Sequence, residues 1–108
     1  MLKEAYEKQI EFQKLLGFTD IPKDDPEMLI HNLFSMVTEI AEVATEDKRW
    51  KKNGRNLFYD RTNKKKEIAD VFIFLLNVLI YSNITLEEFT DSVLEKQKEN
   101  FNRFLNVT

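Results

Sequence analysis

From Val71 to Ile80 the chain reads VFIFLLNVLI, and Asn77 is the one polar residue in that run. As a helix this segment is apolar on every side, so it has to be buried on nearly every side. A single chain of 108 residues has little material with which to wrap one helix completely, and any uncovered remainder would be a large apolar patch. The run therefore predicts a helical bundle whose middle helix is covered partly by a second copy, in a dimer or a tetramer. It is also too short to cross a bilayer, which takes about 20 residues. The opening MLKEAYEKQIEF is charged throughout and lacks a signal-peptide core, so a soluble, cytoplasmic protein is expected.

Composition agrees with one all-α domain over 1–108. Hydrophobic residues make up 43% and charged residues 32%, as in ordinary soluble domains. Two glycines, two prolines and no cysteine leave few turns, no disulfide framework and no thiolate zinc site. A formal net charge of -3 argues against a surface devoted to nucleic acid.

Four helices follow from periodicity and caps. The first runs from Leu2 to Leu16, with Tyr6, Ile10 and Leu15 or Leu16 facing inward and Gly17 ending it. Asp25 can cap a second helix with Pro26 in its first turn, reaching about Lys48. KKNGRNLFYDRTN reads as a connecting loop, and a third helix takes Lys64 to about Ser82. Thr85 and Glu88 form a capping box that opens the fourth, which carries Leu86, Phe89, Val93, Leu94, Phe101 and Phe104.

Two carboxylate pairs stand out on the middle helices. Glu39 with Glu42, and Glu67 with Asp70, each have i, i+3 spacing and leave one side of a helix together. On the second helix Leu29, Ile30, Leu33, Val37, Ile40, Ala41 and Ala44 share an apolar face, while Asn32, Ser35, Glu39, Glu42 and Glu46 share a polar stripe. That stripe is either a solvated face or a site. From Pro26 to Asp47 there is no Lys or Arg, whereas exposed faces usually gain from mixed-sign pairs. On the third helix Glu67, Asp70, Phe74, Asn77 and Tyr81 share one edge. The two acids there either favour the helix N-terminal dipole or meet the first stripe across the bundle. In the second case four carboxylates converge with no sulfur or imidazole, a donor set for Mg²⁺ or Mn²⁺.

The order ExxE, loop, ExxD resembles the all-α nucleotide pyrophosphohydrolases, which include MazG-like enzymes, dCTP pyrophosphatases and the dimeric dUTPases. The resemblance spans roughly Leu29 to Arg103. TEIAEVATEDKRWK is similar to the dimeric dUTPase segment, with Glu39, Glu42, Glu46, Trp50 and Lys51 in register, and EIADVFIFLLN is similar to the helix that follows. In KQKENFNR, Lys96, Asn100 and Arg103 lie at i, i+4 and i+7 and resemble the signature that closes these domains. Thr38 stands where many relatives have a further Glu, and Lys66 where dUTPases often have another acid, which lowers the expected number of metal ions.

The resemblance implies a four-helix MazG-like bundle completed by oligomerisation. It also implies Mg²⁺-dependent hydrolysis of a nucleoside triphosphate to the monophosphate and pyrophosphate, with a pyrimidine deoxynucleotide such as dUTP or dCTP as the expected substrate. Glu39, Glu42, Glu67 and Asp70 would hold Mg²⁺, for which Mn²⁺ could substitute. Glu46 or Glu39 would orient the attacking water or accept its proton. Lys96, Arg103 and Lys51 would meet the outer phosphates, with Asn100 on the same face. Trp50, Phe18, Phe12 and Asn77 are candidates for contact with the base, although aromatics at helical spacing are more often simply core. The lone His31 is given no role. The basic clusters KRWKKNGR and RTNKKK are a solvated loop, a triphosphate entrance or, as a minor option, a nucleic-acid contact. The competing class is a non-catalytic helical oligomer, its carboxylates holding a structural metal or pairing with Lys96 and Arg103.

Overall fold

Capping chemistry sets where the two longest helices begin. In the computed structural model, which describes residues 2–51 and 59–106, the Asp25 carboxylate accepts from Met28 N at 3.2 Å and Pro26 opens the helix. Thr85 and Glu88 make the expected reciprocal box, at 3.0 and 3.1 Å. The elements are α1 (Leu2–Leu15), α2 (Pro26–Glu46), α3 (Arg61–Ile80) and α4 (Leu86–Asn106), with a 3-10 turn over Lys48–Trp50. No strand occurs among the described residues, and one isolated bridge joins Asp24 to Ser82. None of the helices among these residues is long and apolar enough to cross a membrane.

Several helix boundaries differ from the sequence reading by one to three residues. Gly17, at φ +103, turns the chain after α1 in a conformation that other residues rarely adopt. α2 stops at Glu46, where Asp47 becomes the cap of the 3-10 turn. α3 begins three residues early because the Asp60 side chain accepts from Thr62 N and Asn63 N, a cap within a stretch that lacks hydrophobic period. The glycine loop expected between the middle helices, with Arg55, falls largely outside the described residues.

α3 is the spine. Leu76, Leu79, Ile80 and Tyr81 are buried with Tyr6 and Ile21, and Ile10, Phe18, Phe72, Leu86 and Phe89 pack around them. The loop before α2 is laced to the end of α3 by Lys23 N to Ile80 O at 3.0 Å and Asp25 N to Tyr81 O at 2.9 Å. Asp25→Ala should therefore fray the start of α2 at a cost of about 1 kcal/mol, and a thermal melt several degrees below wild type would register it.

Several apolar residues expected inside are outside. Leu15 and Leu16 are exposed, as are Ile68 and Ile73 on α3. α2 turns its polar stripe toward α3 and its apolar face outward, leaving Phe34 at 68% and Val37 at 62% exposure. α4 is held by Leu86 and Phe89, and every residue from 91 to 106, including Val93, Leu94, Phe101 and Phe104, is exposed. The radius of gyration is accordingly 17.2 Å, against about 13 Å for a compact chain near this length. The apolar periods were correct as periods, but among the described residues no surface covers all of them.

Candidate active site

With the polar stripe of α2 turned inward, its residues meet those of α3. Asn77 Nδ2 donates to Asn32 Oδ1 at 3.0 Å across the helix pair. Further along the same seam, Glu39, Glu67 and Asp70 bring one carboxylate oxygen each to within 4.8 Å of one another. The i, i+3 spacing places Glu67 and Asp70 side by side, and Glu39 comes from the facing helix. Because α3 starts at Arg61, both of its acids lie beyond the first turn, where a helix-dipole role fades.

The cluster is crowded and unneutralised. Glu39 Oε2 and Glu67 Oε2 are buried and have no hydrogen-bond partner. Burial first, then the adjoining Glu42 carboxyl and the charges of Asp70 and Glu67, push Glu39 above the ordinary carboxylate range. The adjoining Glu42 carboxyl raises Glu67 most, followed by burial and by the charges of Asp70 and Glu46. Glu42 is thus beside both acids at the solvent edge, although the three-oxygen group does not include it. Glu46 is half-buried one turn further. The nearby cations are engaged elsewhere: Lys64 Nζ lies 2.9 Å from Asp47 Oδ2, and Arg49 grips the same carboxylate at 2.7 Å. These bonds, Arg49 first, hold Asp47 well below its ordinary range.

Hard oxygen donors from two helices, with two buried lone oxygens, suit a small divalent cation. Their repulsion is the state that such a cation relieves.

Beside the acids lies a cleft of about 640 Å³ between α1, the first turns of α2, and α3. Asp70, Phe74 and Asn77 line it from α3, joined by Phe12 and Phe18. Asn32 of the α2 polar stripe also lines it, together with Gln9 and Gln13, which the sequence reading missed. The signal that existed was Asn77 itself, an amide in an apolar helix that has to find polar partners.

Other expected contacts are not gathered here. Trp50 is 68% exposed, and its Nε1 donates to Ala44 O at 2.9 Å, folding the ring back on the end of α2. Lys51 sits 5.6 Å over that ring. Lys96, Asn100 and Arg103 stand on the exposed length of α4, where Lys96 pairs with Glu99 at 3.4 Å. Among the described residues no ion pair joins Lys96 or Arg103 to the acidic cluster.

A family model described as dUTPase matches the chain over residues 1–108. No curated protein and no solved structure matches it.

Proposed function

The chain belongs to the dUTPase family, hydrolases acting on nucleoside triphosphates, and on that premise we propose that it cleaves dUTP to dUMP and pyrophosphate with Mg²⁺. The observation that carries the reading is the meeting of Glu39, Glu67 and Asp70 within 4.8 Å. The orphaned Oε2 atoms of Glu39 and Glu67 are what a cation site requires, so the residues present fit the metal. Glu39, Glu67 and Asp70 would hold it, with Glu42 at the open edge. When bound, Mg²⁺ neutralises phosphate oxygens and acts as a Lewis acid on the anhydride.

The chain's own groups do the rest. With Glu39 serving as a ligand it would fall to the half-buried Glu46 to orient the water and accept its proton. Water opens the anhydride between the α and β phosphates, and pyrophosphate leaves. The base enters the cleft beside Asp70, between Phe12, Phe74 and the Asn77 amide. Trp50, Lys51, Lys96, Asn100 and Arg103 supply the remaining substrate contacts. For α4 that requires assembly, because residues 91 to 106 are exposed in the described part of the chain. A homo-oligomer, dimer or tetramer, covers the outward face of α2 and closes the site.

The test is a panel of deoxynucleoside triphosphates with Mg²⁺. Pyrophosphate release should be fastest from dUTP and should stop with chelator. No release from any nucleotide would leave the family's activity without support in this chain.

A further inference from the structure

The charged residues of α3 divide by exposure. Arg61, Lys65 and Lys66 are exposed, whereas Lys64, Glu67 and Asp70 are half-buried at i, i+3 and i+6, along one edge of the helix. Lys64 is therefore the basic side chain of α3 that shares an edge with the acids. A Lys three residues before a Glu is its neighbour on a helix surface, and Glu67 Oε2 is buried with no hydrogen-bond partner. The acids lack a cation and one stands within a turn of them. Yet among the described residues no ion pair joins Lys64 to Glu67.

Lys64 is held elsewhere by a knot of contacts at the end of α2. Its Nζ lies 2.9 Å from Asp47 Oδ2, and the Asp47 side chain is only 13% exposed. Arg49 fixes that carboxylate with two prongs, Nε donating to Oδ1 at 2.8 Å and Nη2 to Oδ2 at 2.7 Å, and Arg49 N donates to Oδ1 at 3.2 Å. Such a bidentate grip is among the stronger hydrogen-bonded arrangements. The Tyr59 ring then faces both cations, 3.8 Å from the Arg49 guanidinium and 5.2 Å from the Lys64 ammonium, within cation–π range. Arg49 alone balances the charge of Asp47. Placing Lys64 there as well adds a second cation to one carboxylate and leaves the acids of the seam without any.

We propose that Asp47 is a positioning residue that withholds Lys64 from Glu67, so that the acidic cluster stays open to a divalent cation. A Lys64 ammonium on Glu67 would relieve the same repulsion that the metal relieves. It would do so with one charge instead of two and with no position left for a phosphate oxygen or a water. The inference rests on reading Glu39, Glu67 and Asp70 as a Mg²⁺ site.

Mn²⁺ binding to the metal-free, nucleotide-free protein, read from the electron paramagnetic resonance signal of the free ion, tests it apart from turnover. Asp47→Asn keeps the cap of the 3-10 turn and releases Lys64. Its apparent dissociation constant for Mn²⁺ should rise about tenfold, as it does when nine molecules in ten have the site filled by an internal competitor. Adding Lys64→Met should return it to within about threefold of wild type. Adding Arg49→Met instead gives the same net charge but leaves Lys64 free, and the loss should persist. Circular dichroism melts show whether each protein is folded; if Asp47→Asn is not, Asp47→Ser, which also caps, takes its place in all three proteins. Wild-type affinity in the single variant, equal recovery in both double variants, or no recovery with Lys64→Met overturns the inference and leaves the metal site standing. A wild type that takes up no Mn²⁺ overturns both.

Discussion

Glu67→Gln is expected to lower dUTP turnover by about 10²- to 10³-fold, the usual cost of losing one electrostatic stabiliser of the transition state, while making the metal-free protein harder to melt at neutral pH. Both effects have one cause. Glu67 shares its surroundings with Glu42, Asp70 and Glu46, and its Oε2 is buried without a partner. Its folded-state pKa is raised above the ordinary 4.5, as is that of Glu39, so the folded protein holds these protons more tightly than the unfolded chain does. Their contribution is favourable below about pH 4.5 and is lost as pH rises through the raised values. At neutral pH the metal-free site is a self-repelling cluster, which Gln at position 67 relieves. In the wild type, Mg²⁺ is expected to relieve it by binding the folded state alone. Melting curves at acid and neutral pH, with and without Mg²⁺, should show a metal-induced rise that grows with pH in wild type and is nearly absent in the variant. An equal Mg²⁺ response in both proteins would remove Glu67 from the metal site. Asp70→Asn should follow the same pattern.

How much of this was legible in the sequence divides along local and non-local lines. Asp25 with Pro26, the box of Thr85 with Glu88, and the i, i+3 acid pairs are patterns within four residues, and the structure places them as one turn of helix dictates. The start of α3 was missed because Asp60 caps a turn made of polar residues, Arg61 to Lys64, where period gives no signal. The apolar period of α2 identified a face without saying what would cover it, and Ile30, Phe34, Val37 and Ile40 point away from their own chain. Likewise the Lys96, Asn100 and Arg103 line was visible as a line, but it lies on the exposed length of α4 and makes no ion pair with the acids among the described residues. The row of amides lining the cleft was beyond reach for a different reason. Its bonds join Gln9 to Asn77 and Asn77 to Asn32, residues 68 and 45 positions apart, and no short pattern encodes such pairings.

The second large effect is expected at that outward face. The paired change Phe34→Asp and Val37→Asp should convert an oligomer into a monomer and abolish activity, although neither residue touches the acidic cluster. Ile30, Phe34, Val37 and Ile40 are between 47% and 68% exposed on one chain. Fully burying a side chain of this kind contributes about 1.5–3 kcal/mol, so such a row, repeated on each copy, outweighs the ordering cost of association only as a set. Two carboxylates in the middle of that row break the set. Sedimentation should find wild type at a multiple of the 12.9 kDa chain mass and the variant at one chain mass. A wild-type monomer would remove the need for a partner; an oligomeric variant would move the interface from α2 to another exposed patch, such as Phe101 and Phe104 on α4. Activity should fall with the oligomer because Glu39, on the opposite side of the same helix, is positioned only as firmly as α2 itself. Held on its outer face by a second copy, α2 can sustain the repulsion between Glu39 and the acids of α3; released, it can relax by moving apart. Loss of Mg²⁺ stabilisation together with loss of assembly in the double variant would tie the two faces of α2 to one function.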